Sequence, residues 1–266
     1  MGKKKYHGIR IWTFVLASVL FFCLFGNFKL FSQKAEADCP FPFEKIASYT
    51  TYFSSDDGGR YENIRLASKR IHGIIIQAYG EFSFNQWVGK RTKDKGYKPA
   101  KIISQGEFVE GVGGGVCQVS TTLYNAALKS GLTVTEFHPH SLRVGYVPPS
   151  RDAMVSSGSD LRLFNPHAFP VYLETVLTRG SLKITFYGQK VGYRYEITSK
   201  IVEEIPPPEP LIKEGKEEFV ERFGQIGLRS EAYLEIYLGN TLCSRTLLRR
   251  DCYRPIQGII VKKIKD

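Results

Sequence analysis

Three consecutive glycines, Gly113 to Gly115, stand directly in front of "VCQVSTTLYNAALKSG", and this junction constrains the fold more than any other stretch. Glycine tolerates the backbone angles of a tight turn, and Val116, Val119, Leu123 and Ala127 then recur at helical spacing. A helix is expected to begin near Cys117 or Gln118 and to stop at Gly131, with Lys129 in a last turn that favours positive charge. Its apolar stripe needs a core to face, while Cys117, Ser120, Thr121 and Tyr124 occupy the other side.

That core is read from two-residue alternation. "LTVTEF" and "SLRVGYV" read as strands, and "LRLFN", "VYLETVLT" and "SLKITFYG" predict a closing antiparallel meander. Upstream, "ENIRLASKRIHG" places Ile64, Ala67 and Ile71 on one helical stripe that ends at Gly73. "IIIQAYGEFSFN" reads as strand and turn, and Val88 to Gly111 as surface hairpin or loop. Trp87 and Tyr124 read as core aromatics. The expected class is α+β, a mixed domain with helices packed on an antiparallel sheet. "EEIPPPEP" is a stiff spacer, and beyond it "AYLEIYLGNTLCSRTLL" predicts a hairpin turning at Gly239-Asn240. The expected layout is a leading segment 1–37, a linker 38–59, the main domain 60–202, the spacer 203–210 and a small β-rich module 211–266.

The leading segment departs from globular composition. "MGKKKYHGIR" precedes an uncharged apolar run from Ile11 to Phe28, which at about 1.5 Å per residue just crosses a bilayer core. Lys3, Lys4, Lys5 and Arg10 would keep its start in the cytoplasm, so the expectation is one N-terminal transmembrane helix with the main domain extracytoplasmic. Cleavage as a signal peptide at "AEA", residues 35 to 37, is the alternative. Of the net charge of +11, this segment supplies about half. The basic remainder suits a polyanionic surface such as cell wall or anionic lipid. No dense basic run with interleaved aromatics points to nucleic acid.

Cys23 lies in the apolar run, and Cys39 in the linker. Cys243 and Cys252 flank a basic hairpin-like stretch and are candidates to pair outside the cell. Cys117 alone sits where chemistry is expected. The positive end of a helix dipole stabilises a thiolate, and free amides there can bind a developing oxyanion. "HPH" at 138 to 140 offers His138 and His140 as bases on one face of an extended segment, with Ser141, Arg143 and Asp152 following. Cys117 as a small packed residue and the histidines as loop polars remain the alternative. A metal site from Cys117, His138, His140 and Asp152 lacks the usual paired-ligand spacing. The glycine run lacks the Gly-Lys-Ser/Thr of a P-loop and the third glycine of the dinucleotide fingerprint.

"GEFSFNQWVGKRTKDKGYKPAKII", "GVGGGVCQVSTTLYNAALKSGL", "HPHSLRVGYVP" and "RDAMV" together resemble the VanW family, named from vancomycin-resistance gene clusters, over about Arg60 to Gly188. The resemblance implies cysteine-dependent L,D-transpeptidase-like acyl transfer on peptidoglycan stem peptides, without a cofactor or metal. Cys117 would be the nucleophile and His140 the base, with Gly113, Gly114, Gly115 and Gln118 framing the oxyanion site. Ser120, Thr121 and Ser141 would line the substrate; beyond the family pattern, Arg143 is expected to meet its carboxylate and Asp152 to orient the histidine. A non-catalytic wall-binding or glycopeptide-resistance accessory with a structural cysteine is the alternative. Two departures from the family pattern are Ala78-Tyr79 before Gly80, and Ser150 where glycine is common. "GLRSEAYLEIYLGNTLCSRTLLRRDCYRPIQGIIV" is similar to the second half of the wall-associated G-five β-domain.

Overall fold

A computed structural model describes residues 33–34, 44–54, 57–104 and 106–264. Gln33–Lys34 (β1), Glu44–Tyr52 (β2), Ile74–Ile76 (β3), Val171–Leu177 (β9) and Ser181–Gly188 (β10) form an antiparallel sheet in the order β1-β3-β9-β10-β2. Along β10 the two-residue period turns Leu182, Ile184 and Phe186 to one face, where each is fully buried. Among the described residues three α-helices follow in chain order: α1 (Gly58–Ile71), α2 (Phe84–Val88) and α3 (Val116–Lys129).

Helix α1 keeps the predicted stripe. Ile64, Ala67 and Ile71 are buried, the Asp57 carboxylate caps its start by accepting the Arg60 amide at 2.9 Å, and Lys69 and Arg70 occupy its last turn. Helix α3 differs from expectation. It is buried on nearly every side rather than two-faced, because β2, β10, α1 and a second sheet all pack on it. Its polar residues are accommodated by hydrogen bonds, as burial demands. The Thr122 and Thr51 hydroxyls pair at 2.8 Å, and the Gln118 amide donates to the Thr51 hydroxyl and the Tyr52 carbonyl, both at 3.0 Å.

The expected α+β balance is corrected. Strand accounts for 47% of the structure and helix for 17%, so the fold is mostly β with one central helix. The excess strand comes from segments that carry weak alternation. Pro99–Ser104 (β5) and Glu107–Val112 (β6) form a hairpin. Tyr193–Ile205 (β11) runs up to the prolines and pairs with Gly227–Leu238 (β14), which pairs in turn with Thr241–Tyr253 (β15). Main-chain pairing across the proline run thus joins residues 193–205 to the C-terminal hairpin, and residues 31–266 form one compact unit. Leu211–Gly215 (β12), Phe219–Arg222 (β13) and Ile259–Lys263 (β16) make a small sheet in the order β12-β16-β13. No helix among the described residues is long and apolar enough to cross a membrane, and the expected transmembrane run Ile11 to Phe28 lies outside the described residues.

Two further expectations change. Arg162–Phe164 (β8) leaves the meander and pairs with Glu81–Ser83 (β4) and Thr133–Glu136 (β7). "SLRVGYV" is not a strand, and residues 137–161 form a long loop held by side chains of α3. The predicted turn at Gly239-Asn240 does join β14 to β15, with Gly239 at φ +58.

Cys243 and Cys252 cannot pair within the chain. Both lie on β15, and at ~3.3 Å per residue the strand holds them roughly 30 Å apart, whereas a disulfide needs Cα atoms within about 7 Å. Both thiols are free and exposed. Non-reducing peptide mapping of the monomer is expected to recover the two as separate thiols. A linked peptide would mean that β15 is not continuous.

Candidate active site

The glycine turn carries Cys117 into the first turn of α3. Gly115, the residue before the helix, has φ +107, a left-handed angle that disfavours any side chain. A Cβ on Gly114 would lie 2.7 Å from the Lys101 carbonyl oxygen, because the turn packs directly on β5. These glycines are thus required by packing on the protein itself. The amides of Gly113, Val116 and Gln118 donate to the carbonyls of Lys98, Gly113 and Gly115, so they are committed within the turn. The Gln118 side chain is committed too, accepting from Arg60 at 2.7 Å and donating toward β2.

Cys117 is half-buried. Its thiol donates to the Val155 carbonyl at 3.4 Å, and its sulfur accepts the Val155 amide at 3.5 Å. His140 comes to it from the loop after β7. The His140 Nδ1 meets Asp152 Oδ2 at 2.7 Å, and the His140 amide donates to the same oxygen at 2.8 Å, which leaves Nε2 for the thiol. His140 is 7% exposed and Asp152 1%. Burial alone would disfavour every charge in this group. For His140 the hydrogen bonds and charges of Asp152 and Cys117 outweigh it and push the imidazole up to about 9. For Cys117 burial works to raise the thiol, and the His140 hydrogen bond and charge, the Val155 amide and Arg91 together bring it below the ordinary thiol range. Asp152 is held low against its burial by His140, Arg249 and Tyr253. The site thus brings a thiol, an imidazole and a carboxylate together, and the direction of these shifts favours proton transfer from Cys117 to His140.

The other sequence candidates fall elsewhere. Ser120 Oγ donates to the Ala153 carbonyl at 2.6 Å, Thr121 Oγ1 accepts the Ala153 amide at 2.9 Å, and Asn125 donates to the Arg151 carbonyl at 2.7 Å. The polar side of α3 thus clamps the segment that carries Asp152 and leaves Ser120 and Thr121 buried, outside the lining of the cleft. His138 pairs with Glu136 at 3.0 Å instead of sharing a face with His140, since the segment is a loop rather than a strand. Ser141 and Arg143 are exposed and do not line the cleft. No cluster of metal-ligating side chains occurs among the described residues.

Cys117 and His140 open onto a cleft of about 870 Å³. Arg60, Lys90, Arg91 and Lys101 line it, no carboxylate does, and none of the four forms an ion pair among the described residues. Tyr146 lines it as well, beneath the Arg60 guanidinium at 5.8 Å from the ring centroid. Burial and the neighbouring Cys117 push the Tyr146 phenol up, so it stays neutral and able to donate. None of these cleft residues has a spacing signal in sequence; "GKRTK" at 89 to 93 only marks a basic loop.

Residues 59–187 match the model of the family described as VanW like protein, and this range contains Cys117, His140 and Asp152. The chain is 45% identical over 149 residues to the uncharacterized protein YoaR of Bacillus subtilis (strain 168), covering 56% of this chain and 49% of YoaR. It is 32% identical over 109 residues to the vancomycin B-type resistance protein VanW of Enterococcus faecalis (strain ATCC 700802 / V583), covering 39% of this chain and 40% of that protein. The chain thus spans about half the length, or less, of these curated relatives. Among solved structures, the IgA1 protease G5 domain aligns at 22% identity and a TM-score of 0.20, over 28% of this chain and 89% of that domain. HP0197-G5 aligns at 16% identity and a TM-score of 0.17, over 27% of this chain and 99% of that one. Through residues 59–187, the chain belongs to the VanW-like family.

Proposed function

We propose that this protein is an extracytoplasmic cysteine acyltransferase acting on acidic wall peptides, of the L,D-transpeptidase type. The observation that carries the reading is the Cys117–His140–Asp152 assembly at the floor of an open cleft. The Cys117 thiolate attacks the acyl carbonyl of a donor stem, forming the C–S bond. The tetrahedral intermediate collapses as the bond to the D-alanine nitrogen breaks, and His140 gives its proton to that departing amine. An acceptor amine then attacks the thioester, His140 takes up the amine proton, and the thiolate is released. Because the Gly113, Val116 and Gln118 amides are committed, oxyanion binding falls to the first-turn amide of Cys117 and to the Tyr146 hydroxyl. The family relationship and the name of the enterococcal relative support a cell-wall role. The basic start and uncharged run from Ile11 to Phe28 support export.

The cleft's four cations suit a donor carrying free carboxylates. Arg91, close enough to influence the Cys117 thiol, is placed to read such a group. Arg91→Gln is expected to raise KM for an acidic tetrapeptide stem by about tenfold, with a much smaller change for the same stem amidated at its carboxylates. Equal effects on both donors would remove Arg91 from substrate recognition.

Intact-mass spectrometry of the protein with tetrapeptide stems tests the reaction itself. A stem acyl adduct with loss of D-alanine is expected on the native chain and absent from Cys117→Ala. If Cys117 alkylates readily yet no stem gives an adduct or exchange product, acyl transfer is wrong and a wall-binding accessory role takes its place.

A further inference from the structure

Asp152 sits in a long loop without regular secondary structure, yet both its carboxylate oxygens and its carbonyl have fixed partners. Oδ2 receives His140 twice. Oδ1 receives the Tyr253 hydroxyl at 2.5 Å, and the Asp152 carbonyl receives Arg249 at 2.6 Å. Tyr253 is 1% exposed, and its hydroxyl also accepts the Ser150 amide at 2.8 Å. Ser150 is itself at φ +58, and its hydroxyl is bonded to Ser230 on β14 at 2.6 Å. The loop is thus fastened to β14 and β15, whose residues lie wholly outside the family-matched range 59–187.

We propose that Tyr253 and Arg249 are positioning residues for the cysteine–histidine pair, so that the C-terminal hairpin completes the active site. By occupying Oδ1, Tyr253 turns Oδ2 toward His140. With one carboxylate oxygen fixed, the imidazole is held in the tautomer and orientation that keep Nε2 on the thiol. Arg249 locks the same residue from its main chain and lies 3.7 Å from Oδ1, with Asp251 at 2.6 Å on its other side. The remaining charged or titratable groups around the assembly are Tyr124 on α3, Tyr146 in the loop and Arg91 across the cleft. None of these contacts Asp152 as Tyr253 does.

The inference rests on the thiolate–imidazolium reading of the site but not on acyl transfer, and its test needs no substrate. The rate of Cys117 alkylation by iodoacetamide is followed against pH in the full chain, with Cys23, Cys39, Cys243 and Cys252 replaced by serine. Tyr253→Phe is expected to slow the reaction at pH 7 by about threefold to tenfold and to shift the acid limb to higher pH. Tyr233→Phe, on the same sheet, is the control and leaves the profile in place. Site-specific 3-fluorotyrosine at position 253 keeps the ring and strengthens the donor. It is expected to move the acid limb the opposite way, and it decides the matter if Tyr253→Phe does not fold. An acid limb unmoved by either change overturns the positioning role. A native protein with no depressed acid limb overturns the reading of the site itself.

Discussion

Replacing His140 with alanine is expected to reduce acyl transfer by about three orders of magnitude, the upper part of the range for a positioned acid–base. Two losses combine. Without the imidazolium, burial dominates at Cys117 and pushes the thiol up, so little thiolate remains at neutral pH. The departing amine also loses its proton donor. In the native protein the signs run in opposite directions on the two sides of the profile. The raised imidazole holds its proton until about 9, so the basic limb of transfer falls there, and the lowered thiol extends the acid limb below the ordinary thiol range. Alkylation needs only the thiolate, so His140→Ala should cost it less than transfer. A variant retaining more than about a tenth of native transfer would show that another group serves as the base.

The second large effect concerns stability. Arg249 is buried between the carboxylate of Asp251, the main chain of Asp152 and the rings of Tyr124 and Phe137. Arg249→Met keeps most of the side-chain volume but takes the cation from the Asp251 carboxylate and the donor from the Asp152 carbonyl, leaving Asp152 only His140 as a positive neighbour, a change that costs about 3–5 kcal/mol. For a unit of this size that is a fall in Tm of roughly 6–20 °C. The sign with pH is fixed by Asp152. Its pKa is depressed in the folded state, so its contribution is present above the unfolded value of about 3.9 and is lost as pH falls through the folded one. The gap between native and variant proteins in calorimetry should therefore be widest near neutral pH and narrow on acidification. A gap that is constant with pH would indicate lost packing rather than lost charge pairing.

Ser150 shows how a sequence departure becomes intelligible only in three dimensions. Serine stands where the resemblance leads one to expect glycine, and the backbone there is at φ +58, an angle glycine adopts freely. The strain is offset by a buried hydroxyl pair with Ser230, far away in the chain. No reading of residues 148 to 152 alone contains that partner.

Local physics in the sequence determined a good deal. Periodicity gave the stripe of α1, glycine conformational freedom placed the turn before α3, and Gly239-Asn240 marked the C-terminal hairpin. The residue types singled out Cys117, His140 and Asp152 as chemically apt. What sequence could not determine was everything set by contacts between distant residues. The mostly β balance depends on strands such as β11 and β14 pairing across a proline run. The commitment of Ser120 and Thr121 to the Asp152 loop depends on how that loop crosses α3. The cationic cleft assembles from α1, the loop after α2 and β5, and Tyr253 and Arg249 reach Asp152 from 101 and 97 residues away. Periodicity reports on neighbours along an element, whereas a buried charge acquires its partners only when the whole chain has packed around it.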